Sequence, residues 1–249
     1  MNTQIETKEA VRGHWNDTTV AERYENERYG NIQRSLSHYL DCDAIDTFLK
    51  NYFGNKDTLL LDMACGTARL TRAVNTAGRK IISVDYSDHM LLEAKKKLGA
   101  YFLLFNPVRC DGFSLPFKPE TFDAVFTTRF IRHYKKPERI KIYAQLNRVL
   151  KKNGILIFDV LNKDMDRDAY KRPMHDQTYS LEGISGELRE NGFVLKDRLA
   201  GNITEDPFFV ICKKWSLISL GRWYGKIIRS KKIHLDKAVF WMVCASKIA

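Results

Sequence analysis

The chain has 249 residues, 44% of them hydrophobic, and a formal net charge of +11 at pH 7, a composition that excludes a fibrous or disordered chain and allows one large α/β domain. No apolar run reaches the roughly 18 residues of a membrane span, and the polar, mixed-charge start Met1–Arg12 reads as neither signal peptide nor span. Five scattered cysteines with no Cys-x-x-Cys pair disfavour a disulfide framework and a zinc site, so a reducing, cytosolic setting is expected and no metal centre.

In chain order, Asp17 or Thr18 is placed to cap a first helix carrying Val20, Ala21 and Tyr24, and an amphipathic stretch continues to Leu40. Ala44 to Phe53 sets Ile45, Phe48, Leu49 and Tyr52 at helical spacing and ends at Gly54-Asn55. The next stretch organises the chain. Leu59-Leu60-Leu61 is short enough for a buried parallel strand, ends at Asp62, bends through Met63-Ala64-Cys65-Gly66-Thr67-Ala68 and resumes helical spacing at Arg69-Leu70. Such a strand-turn-helix brings backbone N–H groups up to a ligand, and Gly66 lets the main chain approach without a Cβ in the way.

A second strand, Lys80 to Val84, ends at Asp85, 23 residues beyond Asp62. That is near the separation of about 20 at which an acid meets ribose hydroxyls in dinucleotide folds. Ser87 is placed to cap a helix running to Leu98, and a short third strand, Val108 to Cys110, ends at Asp111. Three acids at three strand ends fall on one edge of a parallel sheet. The fourth strand, Phe122 to Thr127, leads into Thr128-Arg129-Phe130-Ile131-Arg132-His133-Tyr134. Pro137 starts a helix to Leu150, Asn153-Gly154 turns into a fifth strand, Ile155 to Val160, and Asn162 lies just past its end. Lys163 to Tyr179 is charged and irregular, an expected rim of an acceptor pocket. Ser180 to Glu190 reads as a helix closed by Asn191-Gly192, Phe193 to Leu199 as a sixth strand, and Ala238 to Lys247 as the last.

Between the last two strands Trp215, Leu217, Ile218, Leu220, Trp223, Tyr224, Ile227 and Ile228 recur at helical intervals among Lys213, Lys214, Arg222, Lys226, Arg229, Lys231, Lys232 and Lys237. A basic amphipathic helix with tryptophan has two readings. It lies in a membrane interface, giving peripheral membrane contact through 213–237, or it packs over an acceptor site or another subunit.

Five blocks carry a family resemblance. They are Asp62 to Arg69; Val84-Asp85-Tyr86-Ser87-Asp88-His89-Met90-Leu91; Asp111 with Leu115-Pro116-Phe117; Phe122 to Phe126; and Arg148 to Gly154. In that order and spacing, from about Trp15 to Asn202 and again at the last strand, the chain resembles the class I S-adenosylmethionine-dependent methyltransferases, particularly their small-molecule branch. The resemblance implies a Rossmann-like doubly wound α/β fold: a mostly parallel sheet of about seven strands, its last strand antiparallel, with an N-terminal helical lid. It implies a single domain made of a leader or lid (1–42), a cofactor-binding core (43–200), a basic aromatic insertion (201–237) and the last strand (238–249).

The cofactor it implies is S-adenosylmethionine. The expected donor-binding set is Asp62, Ala64, Cys65, Gly66, Thr67 and Arg69 at the turn, with Asp85, Tyr86, Met90, Asp111, Gly112, Phe113, Thr127 and Tyr24. By resemblance Asp111 accepts from the adenine amino group, Gly112 and Phe113 offer N–H to a ring nitrogen, and Met90 either lies along the adenine or packs the core. Trp15, Tyr24 and Tyr29 either face the sulfonium or pack the leader. The family turn commonly has glycine where Ala64 and Ala68 stand. Arg129 stands where an apolar residue is usual and is expected to fork onto a carboxylate of donor or acceptor. His133 is the candidate base, or else a helix-start packing residue.

A nicotinamide-dependent oxidoreductase would want Gly-x-Gly-x-x-Gly at the first turn, and only Gly66 is there. No separate RNA-binding motif accompanies the basic charge, so a nucleic-acid partner is not expected, although an RNA-associated methyltransferase and a non-catalytic cofactor-binding protein stay as alternatives. The fourth strand is not followed by the Asn-Pro-Pro-Tyr-type tetrapeptide of many base and glutamine N-methyltransferases, which favours oxygen or carbon of a small molecule.

Overall fold

Buried parallel strands need apolar side chains on both faces, and β1 (Thr58–Met63), β2 (Arg79–Asp85) and β4 (Phe122–Thr127) supply them as near-continuous runs. In the computed structural model, described over residues 8–29, 32–75, 79–99, 107–165, 176–202, 217–230 and 238–248 with Phe208, Ile211, Cys212 and Leu235, these strands lie in one sheet. The others are β3 (Pro107–Arg109), β5 (Leu150–Asn162), the two-residue β6 (Thr178–Tyr179), β7 (Phe193–Asn202) and β8 (Phe240–Lys247). Their order is β3-β2-β1-β4-β5-β8-β7, with β6 beside β5. β8 is antiparallel to both β5 and β7, and the pairs from β3 to β5 are parallel.

Strand alternation divides the core. Leu60, Ala124, Phe126, Ile155 and Ile157 face one side, where Ile45, Phe48 and Leu49 of α3 (Ile32–Phe53) and Leu70 and Val74 of α4 (Arg69–Val74) cover them. Leu61, Val125, Leu156 and Phe158 face the other, against α6 (Lys136–Val149) and α7 (Leu181–Glu190). Each such fully buried side chain contributes roughly 1.5–3 kcal/mol. The remaining helices are α1 (Lys8–Trp15), α2 (Thr18–Tyr29), α5 (Asp88–Leu98) and α8 (Ile218–Ser230).

The expected caps form. Asp17 accepts the Val20 N–H at 3.0 Å and Ser87 accepts that of Met90 at 3.1 Å; Ser180, not read as a cap from sequence, also accepts the Gly183 N–H at 3.1 Å. Four expectations change. A helix, α1, precedes the one read from Asp17. The stretch to Leu40 and the helix from Ala44 are one continuous α3, so the division at 42/43 falls inside a helix. Asn153-Gly154 does not start the fifth strand: β5 already begins at Leu150, and these two residues form a bulge where the register with β4 shifts. There Asn153 takes φ 61°, and a Cβ on Gly154 would stand 2.9 Å from the Lys151 carbonyl oxygen. The third strand sits one residue earlier than expected. Expectations placed on 166–175, on the Tyr29 side chain and on Trp215 lie outside the described residues.

One buried ion pair ties the two helices on the β5 and β7 side together. Arg139 and Glu187, 4% and 7% exposed, pair through both guanidinium edges at 2.8 and 2.6 Å, and Arg139 also donates to the Tyr134 carbonyl. Glu187→Ala should therefore lower unfolding stability by about 3–5 kcal/mol in urea titrations, because a buried guanidinium is left unpaired. A loss under about 1 kcal/mol would show that water replaces the carboxylate.

Candidate active site

The strand order reverses between β1 and β4, and the crevice opened outside their carboxyl ends is where α/β sheets bind ligands. A cavity enclosing about 730 Å³ lies there. From the core it is walled by Met63, Ala64, Gly66, Val84, Asp85, Tyr86, Ser87, Met90 and Gly112. The segment after β4 adds Thr128, Arg129, Phe130, His133 and Tyr134, and the leader adds Val11, Arg12, Trp15 and Tyr24.

The first turn is built from backbone. Ala64, Gly66 and Ala68 all take left-handed conformations, with φ 56°, 56° and 55°. Glycine adopts that region freely and alanine at a cost of about 1–2 kcal/mol. The turn is pinned by Cys65 N–H to the Val84 carbonyl at 2.9 Å and by Gly66 N–H to Asp85 Oδ2 at 2.7 Å. The second Asp85 oxygen accepts the Ser87 N–H at 2.8 Å. Burial raises the Asp85 pKa against these hydrogen bonds. The helix after the turn, α4, has only six residues, so the turn offers a ligand space beside Gly66 without a long helix dipole, the N–H groups of Cys65, Gly66 and Ala68 being taken within the protein.

The segment after β4 is held by carboxylates. Asp159 of β5 accepts the Arg129 N–H at 2.6 Å and the Arg132 guanidinium at 2.7 Å, which fixes Arg129 at φ 55°. The Arg129 guanidinium reaches Asp41 of α3 at 3.5 Å, and Arg69 stands 4.0 Å from the same carboxylate. His133 Nδ1 is 2.5 Å from Asp176 Oδ1, which also lies 3.5 Å from Arg132. Burial lowers the His133 pKa below 6.5 although Asp176 acts to raise it, so the imidazole is neutral at pH 7. Trp15, 5.9 Å from the His133 ring and 5.6 Å from that of Tyr24, closes the cavity over it.

Comparison with known proteins bears on this cavity directly, because residues 61–158, from β1 to β5, match the family model described as a methyltransferase domain. Residues 61–158 thus match a methyltransferase domain, and the fold around them is that of the class I S-adenosylmethionine-dependent methyltransferases. It is 27% identical to an uncharacterised protein of Methanocaldococcus jannaschii over 66% of this chain and 72% of that one. With an uncharacterised methyltransferase of Anoxybacillus flavithermus it shares 24% identity, over 70% and 73% of the two chains. Among solved structures, magnesium protoporphyrin IX methyltransferase from Synechocystis PCC 6803 with bound SAH superposes with a TM-score of 0.66 at 18% identity, covering 97% of this chain and all of that one. The [4+2]-cyclase SpnF gives 0.57 at 18% identity over 83% and 81%. At these identities the structural likenesses establish the fold alone.

The wall of the methyltransferase cavity suits a nucleoside cofactor. Asp85 stands at a strand end, the floor of Met63, Val84 and Met90 is apolar, and a Cβ at Gly66 would meet no atom within 4 Å, so ligand can approach the main chain there. Ala64, Gly66, Asp85, Tyr86, Met90, Gly112, Tyr24, Arg129 and His133 thus share one cavity, as the sequence reading groups them.

Other expected members are placed elsewhere, for physical reasons. Asp62 does not converge with Asp85 on the wall: it is 1% exposed and its carboxylate accepts from the Thr71 hydroxyl beneath the turn. Asp111 is engaged by Arg12 and, at 3.8 Å, by Lys8, both from α1. Its other oxygen takes the Phe113 N–H at 3.0 Å, which removes that N–H from any ring nitrogen. Burial acts to raise the Asp111 pKa, but Arg12, the Phe113 N–H and Lys8 hold it below the usual range. Cys65 is buried, and burial followed by Asp62 and Asp85 keeps it a thiol. Arg69 turns to Asp41, so neither it, Thr67, Phe113 nor Thr127 lines the cavity. Arg129 also meets this internal carboxylate. Val11, Arg12, Thr128, Phe130, Tyr134, Asp41, Asp159 and Asp176 were not singled out from sequence, nor was Ser87 as a wall residue; the arginines Arg129 and Arg132 were the one signal that buried acids must face them.

Burial pushes Asp62 up to about 7 from 3.8, with Thr71 opposing and Asp85 adding to the rise. A carboxyl raised by folding contributes stability below its unfolded pKa, and that contribution is lost as pH rises toward the folded value. Asp62→Asn keeps an oxygen for Thr71 and removes the titration. Its urea midpoints at about pH 5 and about pH 8 should differ less than those of the parent. An equal difference in both would place the Asp62 titration outside this range.

Proposed function

We propose that the protein transfers the methyl group of S-adenosylmethionine to an oxygen or carbon of a small acceptor, acidic or lipid-linked, with His133 as the base. The observation that carries this reading is a neutral, buried imidazole on the cavity wall, oriented by Asp176 at 2.5 Å. Bound S-adenosylmethionine supplies an electrophilic methyl group on a sulfonium. The chain's part is alignment, exclusion of water and, where the acceptor bears a proton, its removal.

In this reading Asp85 holds the ribose hydroxyls, Met90 and Gly112 flank the adenine, and the Gly66 turn receives the methionyl end. Asp62 and Asp111 support the site from behind, as does Arg69. Asp176 fixes His133 through Nδ1, leaving Nε2 to take the acceptor's proton as the new bond to methyl forms. Arg129, held at both backbone and side chain by Asp159 and Asp41, is a positioning residue for the β4 exit. Trp15 and Tyr24 roof the acceptor side.

A metabolite screen for methyl incorporation identifies the acceptor, and with it His133→Asn should lower kcat roughly 10²–10⁴-fold. Calorimetric affinity for S-adenosylhomocysteine should stay unchanged. Because the His133 pKa lies below 6.5, kcat/KM should hold level through neutral pH and fall only on further acidification, the base being lost when it protonates. Full activity in His133→Asn would remove the base from the mechanism. Separately, Asp85→Ala should weaken donor binding by about 1–3 kcal/mol, and an unchanged affinity would contradict the ribose assignment.

A further inference from the structure

From Pro207 to Leu235 the sequence contains seven lysines and arginines and no aspartate or glutamate. The described helix of this segment, α8, turns buried Gly221 and Gly225 inward as it lies along α3, and its Tyr224 ring packs 4.3 Å from Phe208. Its outward side is apolar where solvent would be expected: Leu220 is 40% and Trp223 58% exposed, and Leu217 just ahead of the helix is 41% exposed. Clustered exposed side chains of this size mark an interaction surface rather than a solvated face.

Cations stand beside that strip. Arg222 and Lys226, both exposed, line a second cleft of about 1100 Å³ together with Arg69 and Arg72. The Arg222 guanidinium lies 4.1 Å from the Tyr39 ring, which orients it at the cleft. Two acids, Asp43 and Asp46, share the wall with these four cations, and Asp46 is already taken by Lys50 and Arg79, each at 2.7 Å. The cleft thus presents cationic groups next to an exposed tryptophan and two leucines.

We propose that this face docks on an anionic lipid bilayer. Leu217, Leu220 and Trp223 enter the boundary between headgroups and acyl chains, and Arg222, Lys226 and Arg72 meet lipid phosphates at the cleft. Charge complementarity selects this occupant. A nucleic acid would use the cations and gain little from Leu220 and Trp223, whereas an anionic membrane uses both, and an acid-free segment has no like charge to repel from it. No helix among the described residues is long and apolar enough to cross a membrane, so the contact is with its surface.

Flotation of the full chain with phosphatidylcholine vesicles, alone or containing phosphatidylglycerol, tests this. The protein should float with the anionic vesicles only, and less so as salt is raised. Arg222→Gln and Lys226→Gln should each lower the partition coefficient about fivefold. The pair Leu220→Ser with Trp223→Ser should abolish flotation while S-adenosylhomocysteine affinity, measured by calorimetry, stays at the parent value and reports an intact fold. Absence of flotation with anionic vesicles would overturn the proposal, as would flotation indifferent to all four substitutions. So would equilibrium sedimentation showing a dimer that Trp223→Ser dissolves, or salt-sensitive RNA binding lost with Arg222 and Lys226 in a chain that ignores vesicles.

Discussion

A single carboxylate holds the site together. Asp85, at the end of β2, accepts the Gly66 N–H with one oxygen and the Ser87 N–H with the other. The first bond locks the β1 turn against the neighbouring strand; the second fixes the residue whose hydroxyl caps α5 and so sets Met90 on the cavity wall. Two loops that are remote in sequence are thereby held at one strand end, each by a bond of a kind whose loss in a buried site costs about 1–3 kcal/mol. The ligand-facing geometry of the methyltransferase rests on this arrangement, which also explains why the acid belongs at the strand terminus: only there can one side chain reach both turns.

A second set of charges works on the other bank. Asp41, Asp159 and Asp176 come from α3, β5 and the segment before β6, and each meets at least one of Arg69, Arg129, Arg132 and His133. Burying such groups is costly unless they are paired with good geometry. Here the pairing holds the exit of β4 and sets His133 beside the cavity with a partner on Nδ1. The leader completes the enclosure, and its cations join it to the core through Asp111.

The sheet was legible because buried strands announce themselves as apolar runs, and β4 was read to its exact ends. Asp85, Gly66, Met90, Gly112, Arg129 and His133 line one cavity because each lies at, or in the segment just after, the carboxyl end of a parallel strand, and those ends share an edge. The rest required contacts that no local pattern carries. Helix α1 has only Val11 buried among polar neighbours, too little for a period to show. Asp41 interrupts the apolar spacing of α3 and so splits one helix into two on paper; in the fold it is buried between two arginines. The partner of Asp111 is Arg12, 99 positions away. Asp176 sits in a charged stretch whose sequence resembles any solvated loop, and only the fold brings it to His133.

The two alanines of the first turn give that turn a particular character. Ala64 and Ala68 occupy backbone regions that favour glycine, on either side of a glycine that does the same. Energy held in such a segment is released when it opens, so these five residues are biased toward loosening ahead of the strands that flank them. A ligand that tightens its grip on Gly66 must restrain this spring as well as fill the crevice, and part of its intrinsic attraction is consumed in doing so. With the donor seated as proposed, release of the spent nucleoside would be correspondingly easier, so methyl-bearing alanine in place of glycine favours an empty crevice.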